Sequence, residues 1–155
     1  MATDWNVACR DPGRASRRAS HVTTLVLDAS VACDWLLDDE LDPRAVRVAG
    51  RVSQDGALVP QLWQLEVRNA LVTAERRGRL TAQGMADRLR ALRQLPVVTD
   101  SEPDLDAVVA LARSHRISIY DAVYLELAQR RRAALATLDA DLVAAAAAAE
   151  VAVVP

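Results

Sequence analysis

The chain has 155 residues, a net charge of −2, and 52% apolar and 26% charged residues, which is the size and make-up of one globular domain and not the composition of a disordered chain. No apolar run nears the roughly 20 residues of a membrane span. Residues 1–20 carry arginine but no apolar stretch, so they are not a secretory signal.

Residues 1–22 read as a disordered arm or as a start codon placed too early, and the folded domain is expected over 23–155. Residues 22–28 (VTTLVLD) form a β-branched, apolar run that predicts a buried strand ending at the carboxylate of Asp28. A short helix is expected over 30–37. Asp42 and Pro43 then supply an N-cap and a first helical position for a helix to about residue 53. The turn at Gln54, Asp55 and Gly56 leads into a second strand over 57–60. Residues 62–76 have helical periodicity, with Leu62, Leu65, Asn69 or Ala70, and Thr73 on one side, and Gly78 stops them. Thr81 caps a helix to about residue 94, and 95–98 read as a third strand. Ser101 and Pro103 open a helix to residue 115, and another is expected over 119–130. A fourth strand over 133–138 ends at Asp139, a helix covers 141–149 with six consecutive alanines, and a last strand covers 151–154.

Short apolar strands alternating with helices predict an α/β fold, three-layered, with a mainly parallel sheet of about five strands and helices on both faces. With no phenylalanine, its core rests on Leu, Val, Ala and Ile.

In such a sheet, ligands bind outside the carboxyl ends of the strands. Asp28 and Asp139 fall there, and Glu66 and Asp121 sit on helices. Glu66 borders the stripe formed by Leu62, Leu65 and Asn69, where an unpaired charge facing inward would be costly. It is either a site residue or a solvated or arginine-paired edge of that stripe. Asp121 in a first helical turn equally suits the helix dipole, and Asp139 and Asp141 equally suit a turn and a cap. Converging carboxylates repel one another unless a divalent cation neutralises them. Oxygen-only ligands favour Mg²⁺ or Mn²⁺, because His21, His115, Cys9 and Cys33 lack zinc-site spacing. Such a cation suits phosphoryl chemistry. Two cysteines without a framework make a reducing cytoplasm the default setting.

All 19 cationic residues are arginine, as a GC-rich genome also produces. The missing lysine excludes receiver domains and haloacid-dehalogenase-like phosphatases, which rely on one. No phosphate-cradling glycine loop is present either. The arginines at 76, 77 and 79 and at 130–132 end helices and suit the dipole there, whereas Arg68 is the better candidate to touch phosphate or a partner. Trp35 and Trp63 read as core or as a dimer interface, and no aromatic stacking platform is evident.

Four motifs resemble those of the PIN-domain nucleases, in order: residues 25–30 (LVLDAS), 65–71 (LEVRNAL), 120–124 (YDAVY) and 135–142 (LATLDADL). Each is weak alone, but the ordered set spans nearly the whole domain, and the compact size is similar to VapC-type toxins. The resemblance implies an endoribonuclease whose acidic pocket of Asp28, Glu66, Asp121 and Asp139 holds one or two Mg²⁺ or Mn²⁺ ions. Ser30 and Asn69 would orient ligands or water, Thr137 would position Asp139, and Asp141 would be an extra ligand or lie behind the ligands. It further implies a homodimer held inactive by a cognate antitoxin. The rival from another class is a PIN-like module that binds RNA or protein without cutting.

Overall fold

The computed structural model describes residues 25–37 and 41–154. The expectations for residues 1–22, including the start of the first strand, Cys9 and His21, lie outside the described residues. Within them the element order is β1 (Leu25–Leu27), α1 (Ala29–Leu37), α2 (Pro43–Asp55), β2 (Ala57–Pro60), α3 (Gln61–Arg76), α4 (Ala82–Gln94), β3 (Val97–Asp100), α5 (Leu105–His115), α6 (Ile119–Arg131), β4 (Ala134–Ala136), α7 (Ala140–Ala148) and β5 (Val153–Val154). This is the order that the sequence predicts.

The sheet order is β3-β2-β1-β4-β5, and every pairing is parallel. β1 is central and wholly buried, with Val26 opposite Leu58 on one side and Leu135 on the other. The chain steps one way from β1 to β3, then returns across the sheet to β4 and β5. Crossovers of parallel strands are right-handed, so this reversal puts α1–α4 on one face and α5–α7 on the other. The helix contacts agree: α1 packs on α2 and α3, while α6 packs on α5, α7 and the central strands. None of the described helices is long and apolar enough to cross a membrane.

The two tryptophans among the described residues belong to the core. Trp63 is fully buried, and Trp35 is 5% exposed and donates Nε1–H to the Ala45 carbonyl at 2.9 Å. α6 carries six buried residues, too many for one stripe, because it is covered on several sides. One of them is Glu126, which receives Arg130 Nε at 2.5 Å.

Several boundaries differ from expectation, each for a local reason. β3 begins two residues late: the Leu95 N–H closes α4 on Leu92, and Pro96 has no N–H to offer the sheet. Its carbonyl does take part, accepting the Ala57 N–H at 3.1 Å. α5 starts at Leu105 and not near Ser101, because the Asp100 carboxylate turns the chain at Glu102 and Asp104 caps Ala107. β4 is shorter, since the Ala133 N–H returns to Ala128 and the Leu138 N–H goes to a side chain. β5 loses Val151, whose N–H closes α7 on Ala146.

Two positions give tests of this architecture. Gly56 has φ +74°, and a Cβ there would lie 2.9 Å from the Pro96 carbonyl oxygen, on backbone that β2–β3 pairing fixes. Gly56→Ala should lower stability by about 1–3 kcal/mol in denaturant unfolding. At the end of β3, Arg130 foremost, helped by Arg131, holds the Asp100 carboxyl from its ordinary 3.8 down to about 2, against the burial that raises it. A depressed carboxyl contributes stability above its unfolded value that is lost as pH falls toward the folded one. Asp100→Asn should therefore cost about 2 kcal/mol at neutral pH and flatten the fall in stability between about pH 4 and 2, as read by urea unfolding against pH.

Candidate active site

The reversal between β1 and β4 is a topological switch point, and Asp28 and Thr137 stand at the carboxyl ends of those two strands. Asp28 is 6% exposed, and its N–H continues the β1–β4 ladder to Ala136 at 2.9 Å. One of its oxygens, Oδ2, accepts two hydroxyls: Ser30 Oγ at 2.5 Å and Thr137 Oγ1 at 2.7 Å. Each hydroxyl also accepts a backbone N–H from the turn after β4, Ser30 from Leu138 and Thr137 from Asp139, both at 3.0 Å. The carboxylate thus binds the start of α1 to the β4–α7 turn. Burial pushes the Asp28 carboxyl up, and the two hydroxyls offset part of that rise.

Glu66 lies in the second turn of α3 and is half-buried. The Tyr124 hydroxyl, on α6, donates to its Oε2 and so joins the two helix layers above the sheet edge. Burial raises the Glu66 carboxyl, and the charges of Asp28 and Asp121 raise it further. Burial and the Glu66 carboxylate push Tyr124 far upward, so its hydroxyl stays protonated and remains a donor. Asp121 sits in the first turn of α6 in a reciprocal cap: its N–H reaches Ser118 Oγ at 3.0 Å, and that hydroxyl donates to Asp121 Oδ2 at 2.7 Å. Asp139 caps α7, accepting the Leu142 N–H at 2.8 Å.

The structure therefore links Asp28, Ser30 and Thr137 directly, and it places Glu66 within the field of Asp28 and Asp121. Asp139 joins through its N–H to Thr137. The stripe expected on α3 needs correction: its buried side is Trp63, Val67, Leu71 and Ala74, while Leu65 is 68% exposed and Asn69 is exposed. Glu66 precedes the buried Val67 and is drawn in by Tyr124, not by apolar neighbours. Arg68 turns back on its own helix, donating to the Gln64 carbonyl and side chain at 2.7 and 2.6 Å. Asp141 is exposed on α7. The residue that sequence reasoning missed is Tyr124. Its signal was its place three residues after Asp121, on the same helical face.

The donor set is all carboxylate oxygen, the chemistry of a hard divalent cation. Two of its members are raised by burial, and one of those also by like charge, costs that a cation would relieve. Among the described residues, no three His, Cys, Asp or Glu side chains stand close enough together to hold a metal ion as placed. Binding one would require the acids to draw inward.

A sequence model of the PIN domain matches residues 25–148. The chain belongs to the PIN-domain family. This PIN domain is 32% identical over 117 residues to Ribonuclease VapC3 of Mycobacterium tuberculosis, a match covering 74% of the chain and 82% of that protein. It is 33% identical over 122 residues to Ribonuclease VapC3 of Pyrobaculum aerophilum, covering 76% and 91%. Its fold is similar to that of PAE2754 from Pyrobaculum aerophilum (TM-score 0.65, 22% identity, 80% and 85% covered). It is also similar to FitAcB from Neisseria gonorrhoeae (TM-score 0.63, 18% identity, 84% and 96% covered).

Thr137 both donates to the buried Asp28 and accepts from Asp139, so Thr137→Val leaves two groups short of a partner. It should cost about 1–3 kcal/mol in thermal or urea unfolding of metal-free protein. Thr137→Ser, which keeps the hydroxyl, should recover most of that loss.

Proposed function

We propose that this PIN domain is a metal-dependent endoribonuclease of the VapC toxin type. The observation that carries the reading is the buried Asp28 at the switch point, with two hydroxyls on one oxygen, and Glu66 within the field of both Asp28 and Asp121. The names of its curated relatives support RNA as the substrate.

In this reading Asp28, Glu66, Asp121 and Asp139 hold Mg²⁺ or Mn²⁺, which would supply an activated water and polarise the phosphodiester. Ser30 and Thr137 occupy one oxygen of Asp28 and so turn the other toward a ligand. Tyr124 does the same for Glu66. Asn69 and Asp141 are accessory polar groups, and Arg68 is the arginine on α3 available to phosphate or a partner once it leaves Gln64. The exposed Leu65 and Tyr120, each next to a proposed ligand, give a covering protein an apolar foothold. That suits a cognate antitoxin, and the likeness to VapC-type toxins extends the reading to a homodimer in the cytoplasm.

The second reading, a PIN-like module that binds without cutting, is favoured by the scattered placement of the acids. Incubation of purified protein with total RNA separates the two. Discrete fragments should appear with Mg²⁺ or Mn²⁺ and vanish with EDTA. Asp28→Asn and Asp121→Asn should each reduce cleavage at least about a hundredfold, and Tyr124→Phe about ten- to a hundredfold. Folded, metal-loaded protein that leaves all RNA intact would sink the nuclease reading in favour of the binding module.

A further inference from the structure

An acidic pocket that acts on RNA faces a physical difficulty: its carboxylates, on a chain of net charge −2, repel the polyanion they must receive. Cations must lie close by. Several of the arginines are already paired. Arg68 is held by Gln64, and Arg130 and Arg131 are held by Asp100 and Glu126.

The end of α5 carries two that are not. A cleft of about 480 Å³ lies between the α5–α6 connection and α7, with His115, Arg116 and Ile117 on one side and Asp141, Ala144 and Ala148 on the other. Such a volume falls within the usual range of ligand sites. A second hollow of about 400 Å³ adjoins it through Ser114 and is lined by Arg113. Both arginines are exposed, and neither enters a salt bridge among the described residues. Both walls belong to segments that carry two of the acids. Arg116 stands two residues before Ser118, which holds Asp121, and Asp141 stands two residues after Asp139.

Arg116 also occupies a backbone conformation that does not favour it. It ends α5 in the left-handed region (φ 57°, ψ 35°), where glycine is the usual residue. The backbone alone does not account for an arginine there.

We propose that the groove formed by these two hollows holds the RNA strand on one side of the cut, with Arg113 and Arg116 binding successive backbone phosphates. The groove rests on the nuclease reading for its purpose, though its binding is measured apart from cleavage. Planar guanidinium donors suit phosphate oxygens, and the alanine wall leaves room for the sugar–base side of the strand.

The test is fluorescence anisotropy with a labelled single-stranded RNA of mixed sequence, in Mg²⁺, on protein carrying Asp121→Asn so that the RNA stays whole. Adding Arg113→Gln and Arg116→Gln together should weaken binding at least about fivefold near physiological salt, and flatten the slope of log affinity against log salt by roughly 1. Arg116→Gly alone should weaken binding while leaving the melting temperature equal or higher, a combination that a merely structural role would not give. Arg90→Gln, on α4 and away from the cleft, should change neither affinity nor slope. Unchanged affinity and slope in the double variant, or no RNA binding by protein with the groove intact, overturns the proposal. Cleavage by the wild-type chain decides the nuclease reading separately. Cutting with a groove that does not matter sinks only the groove, and a salt-sensitive groove without cutting keeps it as an RNA site of a binding module.

Discussion

The structure depends on one shared oxygen. Oδ2 of Asp28 collects the Ser30 and Thr137 hydroxyls, and each hydroxyl collects an N–H from the turn that leaves β4. A buried carboxylate is tolerable only when its hydrogen-bonding capacity is met. Meeting it here fixes the end of the central strand, the start of α1 and the entry to α7 in one stroke. The parallel sheet does the rest, because it sends every strand's carboxyl end to one edge. The reversal of strand order opens a crevice there.

Above that edge the two helix layers meet through Tyr124 and Glu66. One layer reaches the sheet through α3 and the other through α6, and the hydroxyl–carboxylate bond spans the gap between them. Stability and charge oppose each other at this point. Packing buries Asp28 and half-buries Glu66, burial raises both, neighbouring charge raises Glu66 further, and the fold retains them although neutral side chains would pack at lower cost. The clamp of Asp100 by Arg130 and Arg131 shows the opposite case, a carboxylate whose partners fully favour its charge.

Much of this was legible in the sequence. A β-branched run ending in an acid located β1 and Asp28, and Asp42–Pro43 and Thr81 marked helix starts, because each is a local rule that short segments obey. What failed was what depends on distant partners. The face of α3 was misread because Leu65 suggests burial by type, whereas the neighbours that decide its exposure lie elsewhere in the chain. β3 slid by two residues because an edge strand is half exposed and its start is set by Pro96 pairing with Ala57. The role of Tyr124 could not be read from local pattern, since its acceptor is 58 residues away.

The four acids are not equally expendable to the fold. Asp139 caps α7, a role worth about 1 kcal/mol, Asp121 accepts the hydroxyl of the Ser118 that caps α6, and Asp28 anchors a strand end. Glu66, in the second turn of α3, has a raised carboxyl, and its return to the fold is the bond from Tyr124 across the helix layers. In a gene copy released from selection on activity, Asp28 and Asp139 would persist for the sake of folding, while Glu66, whose charge is opposed by burial and by its neighbours, would be the first to drift. A paralogue under no such selection would therefore keep much of this acidic set and differ first at the Glu66 position.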